Sequence, residues 1–93
     1  LTTRDDEVRA GRDAQYLLDH PIFQEAFSSV RSGIRTEWER SPARDAEGRE
    51  KLWLMLKLVD RIEAHVRSVA ETGELAGRML EEERRRTIFG GYE

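Results

Sequence analysis

Cysteine is absent from this 93-residue chain, which excludes a disulfide framework and a thiolate-rich zinc site. Lysine is scarce, present only as Lys51 and Lys57; the other basic residues are arginine, a bias that GC-rich coding explains as simply as selection for phosphate contact. Proline occurs twice, at Pro21 and Pro42. No apolar run approaches the ~20 residues of a membrane span. The longest uncharged one, Leu52 to Leu56, falls far short, and the N-terminal stretch has no signal-peptide core. An excess of basic charge is also missing: 38% of residues are charged, both signs are interleaved and the net charge is -3, so the whole chain carries no strongly basic footprint for nucleic acid. These absences predict a soluble, intracellular protein with a modest single core. Leu1 in place of Met predicts a trimmed or processed chain, or an unusual start codon.

What is present is helical periodicity. From Arg49 to Thr72 the apolar positions Leu52, Met55, Val59, Ile62, Val66 and Val69 recur in steps of three and four, predicting a core seam along one helix face. Trp53, Leu54, Leu56 and Leu58 extend apolar character around nearly every side of the first half, more than one facing helix covers. Such a helix measures roughly 36 Å at ~1.5 Å per residue, while a compact globule of this length has a radius of gyration of about 12 Å. The expectation is an elongated fold, or one completed by another subunit.

Asp5 to Asp19 predicts a first helix with acids at its dipole-positive start, packed best at Tyr16 to Leu18 and poorly near its beginning, after a frayed stretch over residues 1–4. His20-Pro21 breaks the pattern and opens a second helix, Pro21 to Arg40, whose Phe23, Phe27, Val30, Ile34 and Trp38 are expected to face Met55, Val59, Ile62 and Val66. Gly33 lies within it, and close helix approach is one reason for a glycine there. Ser41 to Asp45 is a short connection that makes its flanking helices antiparallel neighbours, with Ser41 and Asp45 as candidate caps. Gly73 fits the left-handed position that ends a helix, so Glu74 to Arg86 reads as a fourth helix with Leu75, Met79 and Leu80 on one side. Its end pairs Glu81, Glu82 and Glu83 with Arg84, Arg85 and Arg86. Residues 87–93 then read as an apolar tail carrying Ile88, Phe89 and Tyr92 around the glycine pair Gly90-Gly91. The predicted fold class is all-α: one domain over 1–93, an elongated helical hairpin with one long central helix and shorter flanking helices, expected to be oligomeric.

Catalytic signals are few. His20, beside a proline at a helix start, reads as a cap or surface residue; His65 has no metal-ligand partner at helical spacing; Asp60, Glu63 and Arg67 read as a solvated face. No glycine-rich phosphate loop is present. The expectation is no enzyme, no metal and no cofactor. The candidate protein interface comprises Trp53, Leu54, Leu56, Leu58, Ile88, Phe89 and Tyr92, with the tail either folding on its own core or docking into a neighbour. Candidate nucleic-acid contacts are Arg31, Arg35, Arg40 and Arg44, a basic collar continued by Arg49 and Lys51; an ordinary mixed surface is the alternative, since Glu37, Glu39, Asp45, Glu47 and Glu50 intervene.

Two stretches, AQYLLDHPIFQEAF (Ala14 to Phe27) and SPARDAEGREKLWLMLKLVDRIEAHVRSVAETGELA (Ser41 to Ala76), resemble small helical proteins encoded by tailed bacteriophages and prophages among genes for particle assembly and DNA packaging. The resemblance is one of overall pattern and carries no functional residue with it. It implies a non-enzymatic, oligomeric role in a virion or in the host cytoplasm during assembly, with partners that are further copies of the chain or other particle proteins. A small-terminase-like packaging protein that binds nucleic acid is an alternative, although no helix-turn-helix is evident. A small acidic inhibitor of a host protein is another, against which the interleaved arginines speak.

Overall fold

The computed structural model describes residues 3–90 and is all-α: α1 (Arg4–Asp19), α2 (Pro21–Arg40) and α3 (Ala46–Gly90), with no strand among the described residues. These helices pack as two units, one formed by Leu1–Leu17 with Val66–Glu93 and the other by Leu18–His65. The long central helix and the helical hairpin expected from periodicity are both present.

In the first unit, α1 starts at a reciprocal cap. The Asp6 amide donates to Thr3 Oγ1 at 3.1 Å and the Thr3 amide donates to Asp6 Oδ2 at 3.2 Å, satisfying amides that a helix start otherwise leaves open. Thr3 and Arg4, expected to be frayed, are thus held by the cap and the helix start; residues 1 and 2 lie outside the described residues. The inner face of α1 is Gly11 and Ala14, both buried, with Val8 half-buried. Tyr16 and Leu17, expected to pack, are exposed instead. Across from α1, the second half of α3 presents Val66, Val69, Ala70, Gly73, Ala76, Gly77 and Leu80 at steps of three and four. Leu80 faces inward while Leu75 and Met79 are exposed, so the three do not share one side as expected.

Gly73 does not end a helix. It sits inside α3, no described glycine has positive φ, and the helix continues for 45 residues in all. Its role is contact: a methyl group built on Gly73 would stand 2.6 Å from Gly11 Cα and 2.7 Å from the Glu7 carbonyl oxygen. The two backbones touch, and only a residue without Cβ fits on either side. The predicted tail is likewise shorter than expected, because α3 runs on to Gly90; Tyr92 and the side chain of Phe89 lie outside the described residues.

In the second unit, α2 opens with Pro21 in its first turn and with His20 Nδ1 accepting from the Ile22 amide at 3.1 Å, the capping role expected of that histidine. It closes at Ser41, whose amide donates to the Trp38 carbonyl at 3.2 Å. Asp45 begins α3 by accepting from the Gly48 amide at 3.0 Å. Inside the hairpin, Ile34 is buried and Phe23 and Phe27 are half-buried, their rings 4.7 Å apart. They share this inner side with Leu52, Leu56, Val59 and Glu63. This corrects the expected seam by one position at two places: Met55 and Ile62 are each 50% exposed, while Leu56 and Glu63 take the inward positions. Val30 and Trp38 are also partly exposed, at 49% and 44%. Gly33 makes no close helix approach, since nothing lies within 4 Å of where its Cβ would be.

Candidate functional site

Two sides of the hairpin follow from helix geometry. Successive residues turn by about 100°, so a residue one position before an inward residue lies to one side, and one position after it to the other. In antiparallel helices the two "after" sides coincide, as do the two "before" sides, because reversing the chain direction compensates for facing the opposite way. The contacts bear this out for the "after" side: Arg35 follows Ile34, Trp53 follows Leu52, and the two line one cleft; Asp60 follows Val59 and binds Arg31.

The "after" side is polar and aromatic. Arg31 Nε donates to Asp60 Oδ1 at 2.9 Å and its terminal nitrogens donate to both Glu63 oxygens at 3.1 and 3.3 Å. Those hydrogen bonds, from Glu63 first and Asp60 second, raise the pKa of Arg31 above its ordinary value, and its guanidinium also sits 5.6 Å from the centre of the Phe27 ring. Near the turn, Arg49 stacks 3.8 Å above Trp38 and donates to Ser41 Oγ at 2.9 Å and to the Ser41 carbonyl at 3.3 Å. It thereby ties the end of α2 to the start of α3. Between these clusters, Ile34, Arg35, Trp38, Glu39, Leu52, Trp53 and Leu56 line a cleft of about 340 Å3.

The "before" side is apolar. On α2 it carries Ile22, Ala26, Val30 and Gly33, each one position before Phe23, Phe27, Arg31 and Ile34. On α3 it carries Met55, Leu58 and Ile62, one position before Leu56, Val59 and Glu63, with the exposed Lys51, one position before Leu52, at the turn end. The other seven are exposed too, Ile22 at 65% and Leu58 at 59%. Leu54, 53% exposed, continues the patch toward the back of α3. A contiguous apolar side of this kind is uncommon on a protein that works alone.

The sequence-predicted interface residues are thus distributed rather than joined. Leu54 and Leu58 are on the apolar side, Trp53 is on the opposite side beneath Lys57 Nζ at 5.3 Å, and Leu56 is half-buried inside the hairpin. Ile88, 52% exposed, belongs to the other unit. Periodicity missed Ile22, Val30, Met55 and Ile62 as surface residues; their one-residue offset from the inward column is the signal that finds them. Of the arginines expected in the collar, Arg31 is occupied by two carboxylates, Arg35 lines the tryptophan cleft, and Arg40 and Arg44 are exposed near the turn. Among the described residues no group of His, Asp or Glu is arranged to hold a metal ion, and no helix is long and apolar enough to cross a membrane. Comparison with protein-family models, curated proteins and solved structures finds no match.

Proposed function

We propose that this chain is a non-enzymatic helical assembly protein of a tailed-phage-type particle, a head or connector component or an assembly factor, that works through protein-protein contact. The observation carrying the proposal is the apolar side of the hairpin, where Ile22, Val30, Met55, Leu58 and Ile62 are exposed together. Burial against a partner releases that surface from water, which is the principal driving force of association. The phage setting comes from the resemblance of residues 14–27 and 41–76. The nucleic-acid alternative is less well supported, because Arg31, the first arginine of the expected collar, is already paired with Asp60 and Glu63.

The test is genetic and biochemical together. Removing the gene from the genome that carries it is expected to abolish or sharply reduce intact particles. The purified chain is expected to show no tight, salt-sensitive binding to arbitrary duplex DNA, whose signature is a log-log slope near -0.9 per phosphate neutralised. Unchanged particle yield without the gene overturns the proposal, and steep salt-dependent DNA binding replaces it with the packaging reading.

A further inference from the structure

We propose that the tryptophan cleft of the hairpin binds a small zwitterion with an apolar body, the class of an apolar α-amino acid, its carboxylate on Arg35, its ammonium on Glu39 and its side chain against Trp38 and Trp53. The cleft lies on the side away from Met55, Leu58 and Ile62, so binding there is independent of the assembly reading.

The cleft has the make-up of a ligand site. At about 340 Å3 it falls within the ~300–1,000 Å3 of small-molecule pockets, which combine an apolar lining with a few polar groups. The buried Ile34 and the half-buried Leu52 and Leu56 line it. Trp38 and Trp53, the chain's two tryptophans, are 44% and 53% exposed and add flat apolar surface. Both bordering helices keep their backbone groups in their own ladders, so nothing there pairs with an extended peptide. The Arg31 cluster on one side and the Arg49 stack at the turn bound the cleft, which suits a compact ligand.

Charge selects the ligand class. The neighbouring cations are engaged: Arg31 holds Asp60 and Glu63, Arg49 stacks on Trp38 at 3.8 Å, and Lys57 stands 5.3 Å from the centre of the Trp53 ring. A purely cationic ligand therefore finds the attraction of both indoles already taken. Arg35 and Glu39 differ. Both line the cleft and are exposed, and among the described residues neither forms an ion pair, arginine before glutamate being the less favourable order at this spacing. One open cation and one open anion thus stand a turn apart along a tryptophan-lined surface. A carboxylate alone would also meet Glu39, and an ammonium alone would also meet Arg35. A zwitterion satisfies both, since side chains four positions apart start only ~5–6 Å from each other and converge on two charges carried by one carbon.

Titration of the purified full chain with L-phenylalanine tests this, read by the two indole N–H resonances in a heteronuclear NMR spectrum, which report on the cleft because Trp38 and Trp53 both line it. Both resonances are expected to move saturably. Phenylpropionate, phenethylamine and N-acetyl-L-phenylalaninamide lack the ammonium, the carboxylate or both charges, and each is expected to bind at least about tenfold more weakly. Arg35→Gln and Glu39→Gln are expected to weaken L-phenylalanine by a similar factor with circular dichroism unchanged, while Arg40→Gln, exposed and outside the cleft, is expected to leave binding as it is. Indole resonances that do not move, or four probes of equal affinity, overturn the proposal. So does binding that survives both cleft substitutions. N-acetyl-L-phenylalaninamide binding more tightly than L-phenylalanine overturns it in favour of a partner protein's side chain.

Discussion

Gly11 on α1 and Gly73 on α3 meet backbone to backbone, at a distance where a methyl group on either would fall 2.6 Å from the other's Cα. That contact sets how closely the two helices of the first unit approach. Alanine at Gly73 gains about 1 kcal/mol of helix propensity but must force the helices apart, an overpacking cost of about 1–3 kcal/mol to which the lost neighbouring contacts add. Gly73→Ala and Gly11→Ala are therefore expected to lower the melting temperature. Gly33→Ala, where the added methyl meets nothing, is expected to stabilise the isolated monomer by about 0.5–1 kcal/mol. Melts that move all three variants in the same direction contradict the helix crossing.

The inward column of α3 is tested by a matched pair of truncations. Ile34, 7% exposed, is expected to cost about 2–5 kcal/mol when changed to Ala. Ile62, half exposed, is expected to cost under about 1 kcal/mol. Denaturant unfolding of the two variants measures the difference; equal losses would return Ile62 to the core.

Glu63 occupies an inward position because Arg31 reaches it from α2 and binds both of its oxygens. Arg31→Met keeps the aliphatic stem and leaves that carboxylate half-buried without its partner, so the melting temperature is expected to fall. Arg31→Met combined with Glu63→Leu removes both charges and is expected to recover most of the loss, because an apolar pair leaves no unmet polar group. Additive effects in this double-mutant cycle would show that the pair is not coupled.

At the start of α1, the Asp6 carboxyl is held below its ordinary value of 3.8 by the Thr3 backbone amide first, then by the Thr3 hydroxyl and by Arg9. A depressed carboxyl pKa stabilises the folded state fully above the unfolded value, and that contribution is lost as pH falls through the folded value. The α1 cap is thus expected to hold at neutral pH and to weaken only below about pH 3.8. Carboxyl NMR titration reads this directly, with Thr3→Ala expected to move Asp6 upward; an Asp6 that titrates at 3.8 in the wild type removes the reciprocal cap.

Helix content, the boundaries of α2, the His20 and Asp45 caps and the ion-paired end of α3 were legible in the sequence because each depends on residues within a few positions of one another. Steps of three and four likewise locate an apolar helix face. They do not locate its centre line, since Met55 and Ile62 are as apolar as Leu56 and more so than Glu63. The facing helix decided that phase: Arg31 on α2 supplies the charge that lets Glu63 turn inward, and with it Met55, Leu58 and Ile62 turn out to one side. Gly73 is the same lesson in the backbone. Locally a glycine ends a helix or merely weakens it, and which of these occurs depends on whether another backbone needs the space. Gly11, 62 residues earlier in the chain, takes that space, so α3 continues where its own sequence predicted a stop.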